Sequence, residues 1–203
     1  MKRLINLALF LIIPISCLIA QVDTDDKEYK PFTWPNNRLG AVASMFSGFG
    51  LSYQYHFMDK YALKFSGFVY GESNSGDMNY STNQNLYATV GLECQLNLHK
   101  TKYTRFHAFA ASSLWYDDYS SYYTYDMSGK TENSTINRAI VGGIGFGFEF
   151  LAWKIISFNI ETGLQGRFGT VSRVEKSPNS SFMSITHPRS FGFGIGGGIS
   201  YAF

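Results

Sequence analysis

The stretch that most constrains this chain is its last one, Ser190 to Phe203 (SFGFGIGGGISYAF). Phe191, Phe193, Ile195, Ile199, Tyr201 and Phe203 fall on one parity, whereas Gly192, Gly194, Gly196, Gly198, Ser200 and Ala202 fall on the other. Side chains of a strand point alternately to its two faces, so one face here is large and apolar and the other nearly bare. In water such a ribbon is an aggregation hazard; around a lipid-embedded barrel it is a wall segment facing a narrow interior. The expectation is the second environment.

The same period runs through the rest of the chain. A first strand is expected over Arg38 to Phe46, with Ala, Gly and Ser on both parities and its facing open, followed by a turn at Ser47-Gly48. Phe49 to Met58 sets Leu51, Tyr53, Tyr55 and Phe57 against Gly50, Ser52, Gln54 and His56. After an Asp59-Lys60 turn, Tyr61 to Glu72 sets Tyr61, Leu63, Phe65 and Val69 against Lys64, Ser66, Phe68 and Tyr70. Asn85 to Leu98 alternates most cleanly, with Leu86, Ala88, Val90, Leu92, Cys94, Leu96 and Leu98 on one face. Arg105 to Asp117 faces less clearly, with Phe106, Ala108, Ala110, Leu114 and Tyr116 outward. Asn137 to Leu151 and Ile155 to Gly169 follow, joined by a tight turn at Ala152-Trp153-Lys154, and the glycine-rich strand is the eighth. Polar stretches at 73–84, Asp118 to Ile136 and Thr170 to Arg189 read as long loops.

An all-β chain of this kind closes as an eight-stranded antiparallel up-and-down transmembrane barrel, because a sheet in hydrocarbon must leave no edge. The 203 residues suit one small barrel rather than two domains. Residues 1–20 read as a secretory signal: Lys2 and Arg3, then an apolar core, then Ala20. Ser16-Cys17 leaves a lipidated alternative open. Residues 21–37 read as a flexible periplasmic lead-in and 38–203 as the barrel. Once the signal is removed only Cys94 remains, so no intramolecular disulfide is expected. With 17 basic and 15 acidic residues, nothing suggests a nucleic-acid partner. The connections after the second, fourth and sixth strands are short and those after the third, fifth and seventh long, the first being short too, which is expected to place both termini in the periplasm.

An eight-stranded lumen is narrow enough for side chains to fill. Lys64, Glu93, Glu149, Glu161 and Arg167 all fall on inward parities and form a candidate lumen charge network, in which acids outnumber bases unless Arg38, Arg105 or His56 join. The glycine rows of the sixth and eighth strands leave room for those longer side chains. Paired lumen packing is the expected role, with an ion path or catalysis as alternatives.

At Ser47-Gly48-Phe49-Gly50, Tyr53-Gln54-Tyr55-His56-Phe57, Met58-Asp59-Lys60 and Tyr61-Ala62-Leu63 the chain resembles the small outer-membrane β-barrel proteins of the Bacteroidetes type. Its ending, Ile199 to Phe203, resembles the aromatic C-terminal signal read by the barrel-assembly machinery. The resemblance spans roughly residues 38 to 203 and implies a Gram-negative cell-envelope location among outer-membrane lipid. It brings no catalytic set with it.

His56, His99, His107 and His187 stand on different segments without metal-ligand spacing, so no metal, cofactor or catalytic residue is expected. His187 with Ser190, or His107 with Ser113, are the pairs an envelope-lipid deacylase or acyltransferase could use, though neither lies in a motif of such enzymes. The Tyr-rich loop holding Tyr119, Tyr122, Tyr123 and Tyr125 is the candidate surface for a protein or glycan partner, since Tyr offers rigid area and a hydroxyl. Trp115 and Tyr116 could instead belong to an aromatic girdle. The function expected is non-enzymatic, structural or surface-interacting.

Overall fold

The computed structural model describes residues 34–57, 60–76, 81–125 and 129–203. The expected signal segment, Cys17, most of the expected lead-in and the Met58-Asp59 part of one turn lie outside the described residues. The strands are β1 (Asn37–Ser44), β2 (Gly48–Phe57), β3 (Tyr61–Gly76), β4 (Ser81–Lys100), β5 (Thr104–Tyr125), β6 (Gly129–Ala152), β7 (Ile156–Ser177), β8 (Ser180–Thr186) and β9 (Arg189–Ala202). Each pairs antiparallel with its neighbours, and β9 returns to β1 through Arg38↔Ala202 to Ser44↔Gly196. The ring is therefore closed and eight strands round.

The ninth strand does not add a wall. β8 and β9 both run antiparallel to β7, over Val171–Ser177 and Ile156–Phe168 respectively, so they are one strand position broken at His187-Pro188. Proline cannot donate to a ladder and interrupts it. Gly169 N–H donates to Pro188 O across the break, at 2.9 Å.

Stagger sets the tilt. A circuit of paired residues from Val90 through Gly67, Leu51, Ala41, Ile199, Phe158 and Phe150 to Thr104 arrives beside the far end of β4, a stagger of about ten residues, as a small tilted barrel requires.

The facing follows the sequence parity. Leu51, Val90, Leu92, Ile144, Ile160 and Ile195 are exposed on the outside, while Gln54, Lys64, Glu93, Gln95, Glu149 and Glu161 are buried inside. Water-soluble barrels bury the opposite set. On β5, Phe106, Ala110 and Leu114 face out and Arg105, His107 and Phe109 face in.

Three expected loops are strand instead. β5, β6 and β7 run 22, 24 and 22 residues. The roughly 9 to 11 residues that cross a bilayer account for at most half of that, so the wall continues well beyond the apolar band. Residues 118–125 and 129–136 continue the β5–β6 ladder in register from Asp118↔Ile136 to Tyr125↔Gly129. Residues 73–76 and 81–84 extend the β3–β4 ladder in the same way, and 171–186 form the β7–β8 hairpin. Tyr and Thr have good strand propensity, and outside hydrocarbon the ladder can lengthen without an apolar face. At the other end the expected tight turn is present: Trp153 and Lys154 both have positive φ (48° and 66°), the geometry of a hairpin turn that matches strand twist.

The first connection also departs from expectation. Residues Met45 to Ser47 turn into the barrel, and Phe46 and Ser47 are fully buried. Phe46 packs edge-on against Phe109 at 4.9 Å, and its backbone carbonyl accepts from Ser113 Oγ at 3.0 Å. Ser66 Oγ donates to the Ser47 carbonyl. Gly48 and Gly50 make the turn possible at φ +84° and +118°, values that side chains resist.

Candidate functional site

The lumen holds its charge in two layers. In one, Lys64 reaches between Glu93 and Glu161, with Nζ 2.8 Å from Glu93 Oε2 and in contact with Glu161 Oε1. Lys64 and Glu93 face each other directly across the β3–β4 ladder, and Glu161 arrives from β7 on the far wall. Amides complete the layer. Gln54 Nε2 donates to Gln95 Oε1, and Gln95 Nε2 donates to Glu93 Oε1, each at 2.7 Å. Asn159 Nδ2 donates to Glu161 Oε1 at 2.8 Å.

The second layer lies nearer the chain termini. Arg38 pairs with Glu149, whose other oxygen is 3.6 Å from Arg105 Nη1, and Ser157 donates to the same carboxylate. Arg105 also donates to His56, with Nη1 2.7 Å from Nε2. Trp34 closes this mouth of the barrel: the Arg38 and Arg105 guanidiniums lie 5.2 and 4.5 Å from its ring, and its indole N–H donates to Thr101 O at 2.8 Å. The last residues of the expected lead-in are thus part of the packed barrel, because Trp34 is only 5% exposed.

Four of the five expected lumen charges therefore sit in these layers, and Arg167 does not. Its guanidinium lies 5.5 Å from the Trp115 ring, toward the hairpin end. Arg38 and Arg105 take part instead, so the three carboxylates face three cations rather than outnumbering them. Facing was the missing signal for Arg38, since its strand shows no clear alternation.

The glycines of β6 and β9 make room, but chiefly for His107, Phe46 and Ser44 rather than for the expected charges, of which Glu161 comes nearest, 3.0 Å from a Cβ at Gly196. A Cβ at Gly147 would strike the His107 ring, and one at Gly194 would lie 2.8 Å from Phe46. A Cβ at Gly196 would lie 2.6 Å from Ser44 Oγ.

His107 enters the Lys64 layer from β5, so that ligand atoms of Glu93, His107 and Glu161 lie within 4.8 Å of one another. Three strands contribute them, which is why no local spacing announced the cluster. The Lys64 ammonium already bridges its two carboxylates, and a cation there would have to displace it.

The candidate catalytic pairs are not assembled. His107 and Ser113 lie six residues apart on β5, roughly 20 Å at the rise of a strand. Ser113 is committed to the Phe46 carbonyl and to Trp115 Nε1. His187 Nδ1 contacts Thr170 Oγ1 at 3.2 Å, not Ser190.

The candidate recognition tyrosines occupy a strand rather than a loop. Tyr119 and Tyr123 share the parity of Trp115, Tyr122 has the opposite one, and Tyr125 closes β5. Tyr119 OH donates to Asn83 Oδ1 at 3.5 Å and both Tyr119 and Tyr123 are exposed. Trp115 faces inward, which removes it from a lipid-facing girdle.

A closed eight-stranded ring, apolar outside and filled with paired charge inside, defines a transmembrane β-barrel. Among solved structures the chain is similar to Acinetobacter baumannii CarO2, at 12% identity and a TM-score of 0.36, covering 85% of this chain and 100% of that one. It is also similar to Acinetobacter baumannii CarO, at 13% identity and a TM-score of 0.38, covering 83% of this chain and 98% of that one. Both similarities are distant. No family model matches the sequence. No curated protein matches it either. The resemblance to the Bacteroidetes-type barrels thus gains no family-level match.

Proposed function

We propose that this protein is a plugged, non-catalytic barrel of a Gram-negative outer membrane, which anchors a strand wall that projects from the cell surface. The observation that carries this reading is the filled lumen: Trp34, the two charge layers and Phe46 succeed one another along the axis, each buried. Packing of this kind disfavours a continuous path for water and ions, and among the described residues neither candidate nucleophile–base pair, His107 with Ser113 or His187 with Ser190, is aligned for acyl transfer.

The short Trp153–Lys154 turn and both barrel-end residues, Asn37 and Phe203, share one end, joined by Asn37 N–H donating to Phe203 O at 3.2 Å. That end is assigned to the periplasm, where short turns belong and where Phe203 would meet the barrel-assembly machinery. The projecting β5–β6 hairpin, with Tyr119, Tyr122 and Tyr123, is the surface offered to an extracellular protein or glycan.

Planar-bilayer recording tests the plug. The wild type is expected to give no discrete conductance steps, whereas Phe46→Ala combined with Lys64→Met opens them. Steps of nanosiemens size from the wild type would overturn the plugged reading in favour of a channel.

A further inference from the structure

The ring is complete only up to the β1–β2 turn. β1 ends at Ser44 and β2 begins at Gly48, so the β3 residues beyond Gly67 pair only with β4. On the other side, the β9 residues before Gly196 pair only with β7, apart from Met45 N–H donating to Ile195 O at 3.1 Å. A side gap therefore opens between β3 and β9, with the Met45–Ser47 turn, whose Phe46 and Ser47 are buried and whose Met45 is exposed, as its sill.

Its height follows from the outward rows. These turn polar at Arg138 on β6, Thr170 on β7 and Arg189 on β9, while the gap takes in Val69, Phe193 and Phe191. The gap thus spans the last apolar residues and opens where hydrocarbon gives way to headgroups. Unpaired backbone is costly deeper than that and tolerable here, where polar groups reach it.

Behind the gap lies an aromatic floor with one cation. Phe49 meets Trp115 edge-on at 5.1 Å, and Tyr87 meets Trp115 at 6.1 Å. Arg167 lies over the same Trp115, and no carboxylate among the described residues pairs with it. On the β9 side Gly192 is bare, for a Cβ there would meet nothing within 4 Å. On the outer, lipid-facing side of the same wall, Gly142, Gly166 and Gly192 help line an open groove of about 420 Å³ flanked by Ile144, Leu164 and Phe191. Phe191 and Phe193 stand 75% and 81% exposed beside it.

We propose that this gap and the space behind it bind an amphiphile with an anionic head and an acyl chain, entering sideways from the outer leaflet. Its head meets Arg167, and its chain lies along Phe191, Phe193 and the glycine-thinned wall. The charge of Arg167 selects an anion, and the position of the gap selects a ligand that arrives through the bilayer. This rests on the reading of the chain as a membrane-embedded barrel.

Trp115 reports occupancy directly. In a Trp34→Phe, Trp153→Phe background only Trp115 emits, and refolded protein in phosphatidylcholine vesicles is titrated with a brominated fatty acid or brominated lysophosphatidylcholine. Saturable quenching by the fatty acid is expected, at least tenfold tighter than by the zwitterionic lipid. Arg167→Gln should remove that preference, and Gly192→Leu, which fills the space without a clash at Cβ, should remove the quenching. Equal quenching by both amphiphiles, or the same titration in Arg167→Gln, overturns the proposal. So does a disulfide-linked dimer of Phe193→Cys, Cys94→Ser with Trp115 unquenched, which assigns the edge to a second copy. A separate Leu92→Trp reporter in a Trp34→Phe, Trp115→Phe, Trp153→Phe background, quenched by brominated phosphatidylcholine, tests embedding itself, so failure of the site and failure of the membrane reading give different results.

Discussion

Replacing Lys64 with Met removes the cation that Glu93 and Glu161 share, and leaves two carboxylates in a layer where both are buried. The amides of Gln95 and Asn159 still donate one bond to each, so solvation is only partly lost. Breaking a buried pair by removing one partner costs about 3–5 kcal/mol, because the charge left behind is uncompensated. With tenfold in equilibrium constant per roughly 1.4 kcal/mol, Lys64→Met should shift folding by about two to three and a half orders of magnitude. Replacing both acids as well, in Lys64→Met, Glu93→Gln, Glu161→Gln, should recover most of the loss, since an uncharged layer of similar volume needs no counter-charge. Reversible urea unfolding in vesicles of short-chain phosphatidylcholine, followed by tryptophan emission, measures both. A single variant within about 1 kcal/mol of wild type would refute the reasoning. So would a triple variant no more stable than the single one, because the cost would then come from lost packing and not from stranded charge.

Leu92 lies outward near the middle of the apolar rows, so Leu92→Arg should cost about 2–4 kcal/mol in the same unfolding assay, and a neutral outcome would contradict the facing of β4. Cys94, exposed on that same face, should react slowly with a water-soluble maleimide in vesicles and quickly once the protein is unfolded; rapid labelling in vesicles would place it in water. Phe46→Ala by itself should destabilise the barrel by about 3–5 kcal/mol, since it empties a fully buried aromatic site that Gly143 and Gly194 cannot fill.

What the chain alone makes legible is whatever depends on period. Alternation tells inside from outside residue by residue, so the facing of β2, β4, β6, β7 and β9 and the inward placement of Lys64, Glu93, Glu149 and Glu161 could all be read before any contact was known. Tertiary structure decided what depends on which strands meet. Arg38 and Arg105 complete the charge layers only because closure brings β1 and β5 together around Glu149. Arg167, on the right parity, lies too far along β7 to join them and stacks on Trp115 instead. The three expected loops became strand because polar residues carry no signal for where a ladder stops once hydrocarbon no longer constrains it. Phe46 could not be recognised as a plug, since a single aromatic residue in a short glycine turn looks the same whether it points to lipid or into the lumen; the glycines that admit it lie roughly a hundred residues or more away, on β6 and β9.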